Sequence, residues 1–173
     1  MYWFTSDQHF DHINIIKHCY RPFRTVDEMN ENIINAWNLT ITPDDVVVMA
    51  GDISMLPKAD LIHTKFLNRM NGNKIYLRGN HDHWMKEKRY IYNKRIEGQH
   101  VSVCHYPMRT WQNSNHGAWQ LHGHSHGTLE PFHNQLDIGI DNAYKLLGAY
   151  RPFSFNEVKG IMEVQDHNGQ NIL

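Results

Sequence analysis

Five short polar blocks, most of them standing directly behind a short apolar run, constrain this sequence more than any other feature. They are Asp7-Gln8-His9, Gly51-Asp52, Gly79-Asn80-His81-Asp82, His105 and Gly123-His124-Ser125-His126. In an α/β chain the strand ends and the loops behind them converge on one edge of the sheet, so such blocks can meet in space. Asp7, His9, Asp52, Asn80, His105, His124 and His126 offer oxygen and nitrogen donors and no sulfur. That is the ligand set of a hydrolytic metal centre. In an extended segment residues i and i+2 point to the same side. That spacing lets Asp7 and His9 face one way, close enough to share an ion, and likewise lets His124 and His126 face one way.

The apolar runs give the order of elements. Tyr2 to Thr5, Val46 to Ala50 and Lys74 to Leu77 read as strands, each leading into a polar block. Helical spacing covers His12 to Cys19 and Ala59 to Met70. Between them Thr25-Val26-Asp27-Glu28 is a capping box, opening a helix with Met29, Ile33, Ile34 and Trp37 on one face. The first half is therefore β-α-β-α-β, which favours parallel strands with helical crossovers. The second half changes character. Val101 to Cys104, Ala118 to His122 and Gln135 to Ile140 read as short strands with no long helix between them. Ser154-Phe155-Asn156-Glu157 is a second capping box before a short final helix. The expected fold is α/β, a sandwich of two mixed β-sheets flanked by helices, with residues 1–173 as one domain.

Composition bounds the rest. Apolar residues make up 40% of the 173, enough to bury a core without disulfides or structural zinc. A net charge of −1 does not suggest a dedicated duplex-binding protein. Histidine is the outlier at 14 residues, four at ligand positions and a fifth at His81. Nothing requires Cys19 and Cys104 to pair, and a reduced, cytoplasmic setting is the expectation. No signal peptide is visible, and the apolar stretches are strand-length, so no membrane span is expected.

In order and spacing, the five blocks resemble the calcineurin-like metallophosphoesterases, whose pattern is D-x-H, G-D, G-N-H-D/E, a lone His, and G-H-x-H. The likeness runs from Phe4 to about His126, with every ligand position filled. The start, Ser6 to Ile16, also looks like a small compact branch of that family in bacteria and phages. The resemblance implies two divalent ions, Mn above all, with Fe, Zn or Ni as alternatives. One ion would take Asp7, His9, Asp52 and His126. The other would take Asp52, Asn80, His105 and His124, with Asp52 bridging. It implies in-line attack on a phosphate ester by a bridging hydroxide, with His81 donating a proton to the leaving oxygen and Asp82 orienting His81.

The expected substrate is a small phosphodiester or nucleotide. The Asp-Arg-Gly that follows Gly-Asp in the Ser/Thr phosphatases of this superfamily is absent here, where Ile53-Ser54-Met55 stands instead. Fewer cations favour the singly charged diester. His12, Asn14, Arg21, Tyr106 and Arg109 are candidate substrate contacts. Lys86, Lys88, Arg89, Lys94 and Arg95, interleaved with Tyr90 and Tyr92, raise a second reading, a nuclease gripping single-stranded nucleic acid. A solvated hairpin with its tyrosines turned inward is the plainer account of that segment. A phosphomonoesterase and a non-catalytic scaffold of the same fold complete the alternatives; scaffolds usually lose ligands, and none is lost here.

Overall fold

A computed structural model describes residues 1–130 and 132–167. In chain order the strands and α-helices are β1 (Tyr2–Thr5), α1 (Ile13–His18), α2 (Val26–Thr40), β2 (Val46–Met49), α3 (Ala59–Lys65), β3 (Asn73–Tyr76), β4 (Ile91–Ile96), β5 (Gln99–Cys104), β6 (Trp119–His122), β7 (Gln135–Asp137), α4 (Ile140–Leu147), β8 (Phe153–Ser154) and α5 (Phe155–His167). They form two four-stranded mixed sheets, ordered β3-β2-β1-β8 and β4-β5-β6-β7. β1, β2 and β3 are parallel and β8 is antiparallel to β1. In the second sheet β5, β6 and β7 are parallel and β4 pairs antiparallel with β5.

Strand alternation divides the core in two. Trp3, Val47 and Met49 face one way and pack with Ile33, Ile34 and Trp37 of α2 and Ile62 of α3. Phe4, Val48 and Ala50 face the other way, onto Val101, Val103, Leu121 and Leu136 of the second sheet and Val158 and Met162 of α5. The central strand is thus covered on both faces, which is why Val46 to Ala50 is unbroken apolar sequence. Both helix-start signals are realised. Thr25 Oγ1 accepts from Glu28 N at 3.1 Å, although Glu28 reaches back to Arg24 N rather than to the cap residue. Ser154 and Glu157 close a reciprocal box, Ser154 N to Glu157 Oε2 at 2.8 Å and Glu157 N to Ser154 Oγ at 3.1 Å.

Three expectations are corrected. The helix predicted over Ala59 to Met70 ends at Lys65, where Phe66 leaves helical geometry and lies flat on Phe10, with ring centroids 4.4 Å apart; a 3₁₀ turn follows at Leu67–Arg69. The strand predicted to Ile140 ends at Asp137, whose carboxylate accepts from Gly139 N at 2.7 Å and turns the chain into α4. The basic segment does form a solvated hairpin, as β4 pairs antiparallel with β5 at the exposed edge of the second sheet, and only the placing of its tyrosines is corrected. Tyr92 packs against the core, but Tyr90 is exposed, so only one tyrosine turns inward. Charged residues on an edge strand guard it against pairing with another chain. Among the described residues, no helix is long and apolar enough to cross a membrane.

Candidate metal centre

The loops behind β1 and β2 are hydrogen-bonded to each other beyond the sheet. Asp7 N donates to Gly51 O at 3.0 Å, His9 N to Asp52 O at 3.0 Å, and Phe10 N to Ile53 O at 2.9 Å. The loop behind β3 is held to them by Asp82. Its buried carboxylate accepts from Asp52 N (2.7 Å), Gly79 N (3.0 Å), Ile53 N (2.9 Å) and Trp84 Nε1 (3.0 Å). The glycines of the blocks mark close approach. A Cβ on Gly79 would lie 2.2 Å from Asp52 Oδ1, and one on Gly123 2.0 Å from Ser6 Oγ.

Asp7, His9, Asp52, His124 and His126 all have left-handed backbones, with φ from 50° to 69°. L-residues other than glycine rarely adopt this conformation, and strain of this kind clusters at functional sites. It also corrects the geometric expectation, because the i and i+2 pairs are brought round by left-handed turns and not by extended backbone.

The result, among the described residues, is three groups of side chains that could each hold a metal ion; one of them, Cys19, His126 and Asp141, shares His126 and sets a thiol beside it, and the other two face each other across the site. Ligand atoms of Asp7, His9 and His126 lie within 4.8 Å of one another, as do those of Asp52, His105 and His124. Asp52 stands between the groups. Its Oδ1 accepts from His81 N at 2.9 Å, while Oδ2 faces His9 Nε2 at 3.6 Å and His105 Nε2 at 3.4 Å. His9 Nε2 is buried and has no hydrogen-bond partner. His105 Nδ1 lies 3.0 Å from Ala50 O, so it carries the proton. His105 Nε2 faces Asn80 Oδ1 at 2.9 Å and Asp52 Oδ2 at 3.4 Å. Burial opposes the His105 imidazolium, but the hydrogen bond to Asp52 and the charges of Asp7 and Asp52 raise it, so without metal a proton sits between the ring and the carboxylate. A divalent cation among these acceptors takes the place of that proton. Divalent cations bound by oxygen and imidazole fit this donor set.

The charge states carry the same strain. Burial pushes the Asp7 carboxyl up to about 7. Burial drives His9 well below its ordinary value. Burial opposes the charge on Asp52, but His105 hydrogen-bonds it and holds it down at about 2. Burial works against the imidazolium of His126, yet the hydrogen bond to Asp141 raises it to about 10.

Sequence reasoning missed Asp141. Its Oδ2 lies 2.7 Å from His126 Nδ1, which leaves Nε2 of that ring free to ligate. Asp141 is held in turn by Arg21, Nε to Oδ1 and Nη2 to Oδ2, both at 2.8 Å. The signal was a carboxylate just behind a strand end, the same as in the other blocks, but a strand drawn through Ile140 conceals it.

Arg21, expected at the substrate, is therefore corrected. It is 3% exposed, and its other donors go to Gln8 O, Asp7 O and Met29 Sδ, so all five N–H groups are used. Asp82 is corrected too: its four acceptor contacts bind the loops together and none reaches His81. The remaining candidates separate. His81 lies at the rim, its side chain 36% exposed and its Nε2 3.9 Å from Asp52 Oδ2. His12 Nδ1 is 3.2 Å from His9 Nδ1, where it can fix the tautomer that frees His9 Nε2. Tyr106 stands over His105 and His124, its hydroxyl 3.5 Å from Asn80 Oδ1. Asn14 is exposed on α1. Arg109 lies over the Phe132 ring, 5.3 Å from its centroid, in a separate groove with Trp111 and Asn134. Cys19 and Cys104 are free.

The fold and the site together define an α/β protein of two mixed sheets with adjoining groups of metal-type ligands at the strand ends. No family model matches the chain. It is 33% identical over 161 residues to the "Uncharacterized protein MJ1445" of Methanocaldococcus jannaschii, covering 91% of this chain and 89% of that one, and it belongs to the same family as that protein. The Gene 66 protein of Mycobacterium phage L5 is 25% identical over 178 residues, covering 80% and 86% of the two chains. The crystal structure of AQ665 from Aquifex aeolicus, a protein of unknown function, shares the fold. Its TM-score is 0.71 at 20% identity, covering 93% of this chain and 98% of that one.

Proposed function

We propose that this protein is a dinuclear metal-dependent phosphoesterase of the calcineurin-like type, hydrolysing a small phosphodiester or nucleotide. The observation that carries the reading is the convergence of two histidine nitrogens, His9 Nε2 at 3.6 Å and His105 Nε2 at 3.4 Å, on the same carboxylate oxygen of Asp52. One ion would be held by Asp7, His9, Asp52 and His126, the other by Asp52, Asn80, His105 and His124. When bound, two such cations supply a nucleophilic water at neutral pH and neutralise phosphate oxygens.

The chain's own residues do the rest. Ala50 O and Asp141 hold the Nδ1 protons of His105 and His126, so that each ring would offer Nε2 to a metal that displaces the proton there. His12 does the same for His9. Asp82 locks the Asp52 and Asn80 loops at one spacing. His81 is the proton donor to the leaving oxygen, since it is near Asp52 yet exposed at the rim. Tyr106 closes the Asn80 side of the site.

The diester preference gains support from Arg21. With its guanidinium buried against Asp141, Arg21 has no donor left for phosphate. A doubly charged monoester therefore gains no bidentate clamp from Arg21. The test is turnover of bis(4-nitrophenyl) phosphate against 4-nitrophenyl phosphate at equal Mn²⁺ loading. The expected result is a higher kcat/KM for the diester and loss of both activities on chelation. A tenfold preference for the monoester would reverse the substrate assignment, and full turnover after verified metal removal would end the metal reading.

A further inference from the structure

The turn that ends α1 is built for glycine and holds a tyrosine. Arg21 N donates to Ile16 O at 2.9 Å and Tyr20 N to Lys17 O at 3.4 Å, the paired bonds of a Schellman cap. Tyr20 occupies its left-handed position at φ 52°. A β-carbon there crowds the neighbouring carbonyl, so glycine is the usual occupant. Burial does not compensate, because Tyr20 is 91% exposed. An aromatic side chain kept in a strained turn and turned to solvent points to a role outside the core.

Its position says which role. Tyr20 borders a cavity of about 430 Å³ whose wall includes Ile15, Cys19, Thr128 and the candidate ligands His124 and His126. Among the described residues lining it there is no lysine, arginine, aspartate or glutamate; its histidines are His18 and the two candidate metal ligands, whose ring nitrogens the metal reading already occupies. The hydroxyls on its edge are engaged: Ser125 Oγ donates to Asp137 Oδ2 and Thr128 Oγ1 to Ser125 O. An apolar pocket with one exposed aromatic face suits a flat ring better than a hydrogen-bonding sugar or an acyl chain.

We propose that this cavity holds a planar, uncharged aromatic ring carried by the phosphate ester, with Tyr20 stacking on it. The inference rests on the phosphoesterase reading, which places the phosphate beside His124 and His126.

Non-hydrolysable phosphonates test it with the Mn²⁺-loaded protein. Stacking on an aromatic side chain is worth about tenfold in affinity, so titration calorimetry should show phenylphosphonate binding ~10-fold tighter than methylphosphonate. Tyr20→Gly should erase that preference and, by relieving the turn, raise the melting temperature by ~2–4 °C. Tyr20→Phe should keep both parent values. Displacement of phenylphosphonate by thymidine would identify the ring as a nucleobase, and a failure to compete would identify a simple aryl group. Equal affinity of the parent for both phosphonates overturns the inference alone, as does a Tyr20→Gly variant that keeps the preference. A parent that binds neither phosphonate and hydrolyses no ester overturns the phosphoesterase reading, and the inference falls with it.

Discussion

Replacing Arg21 with methionine separates the two roles that residue could have. Methionine keeps the aliphatic length and can lie on Met29, but removes the guanidinium from a pair in which Arg21 is wholly buried and Asp141 nearly so. Breaking a buried pair by deleting one partner costs about 3–5 kcal/mol, because the remaining charge stays buried. The carbonyls of Asp7 and Gln8 lose their donor as well, at ~1 kcal/mol each. His126 stays beside Asp141 and offsets part of this loss. A net cost of ~4 kcal/mol corresponds to a fall in melting temperature of ~8–16 °C for a chain of this size. Urea and thermal unfolding of the chelated protein measure it without reference to activity. Arg21→Lys should recover only part of the loss, since an ammonium cannot span both Asp141 oxygens. A melting temperature within ~2 °C of the parent, with KM raised, would refute the reasoning and return Arg21 to the substrate.

Other outcomes follow from the same geometry. Gly79→Ala should weaken Mn²⁺ binding by ~10-fold or more, because its Cβ would stand 2.2 Å from Asp52 Oδ1; equilibrium dialysis against Mn²⁺ checks this. His81→Ala should leave metal content intact and lower kcat by ~10²–10⁴, with a smaller loss for nitrophenyl leaving groups than for alkoxides, as stopped assays on both would show. Metal uptake should release protons. In the metal-free protein His126 is protonated up to pH about 10 and Asp7 up to about 7, so ligation displaces the His126 proton at pH 7 and additionally that of Asp7 near pH 5.5. Calorimetry in buffers of different ionisation enthalpy should report at least about one proton at pH 7 and more at pH 5.5; no release would contradict the assigned ligands.

What was legible in the sequence is what period and chemistry write locally. The central strand read correctly because it is apolar on both faces, and the capping pairs read correctly because a cap is a contact over three residues. The donor blocks were visible as residue types at strand ends. The backbone that brings them together was not, because left-handed turns at Asp7, His9, His124 and His126 follow from packing against Gly123 and the Gly51 loop and have no glycine of their own to announce them. Arg21 and Asp141 lie 120 residues apart, and no local pattern links them. Asp82 was misassigned for the same reason: adjacency to His81 in sequence suggested a pair, while its oxygens point to backbone N–H groups some 30 residues earlier. The solvated hairpin read at the basic segment is present as β4 and β5, but the extent of β4 was not legible, because the charged, exposed residues of a guarded edge lack the alternation of a half-buried strand.

The most direct test of the central claim is turnover of bis(4-nitrophenyl) phosphate followed along a Mn²⁺ titration of the metal-free protein, with bound metal counted at each point by elemental analysis. The account predicts no turnover without metal, activity that rises with occupancy of both positions and saturates at two ions per chain, and loss of both ions in Asp52→Asn. Turnover by metal-free protein, saturation at a single ion, or two ions bound with no phosphoester hydrolysed would contradict it.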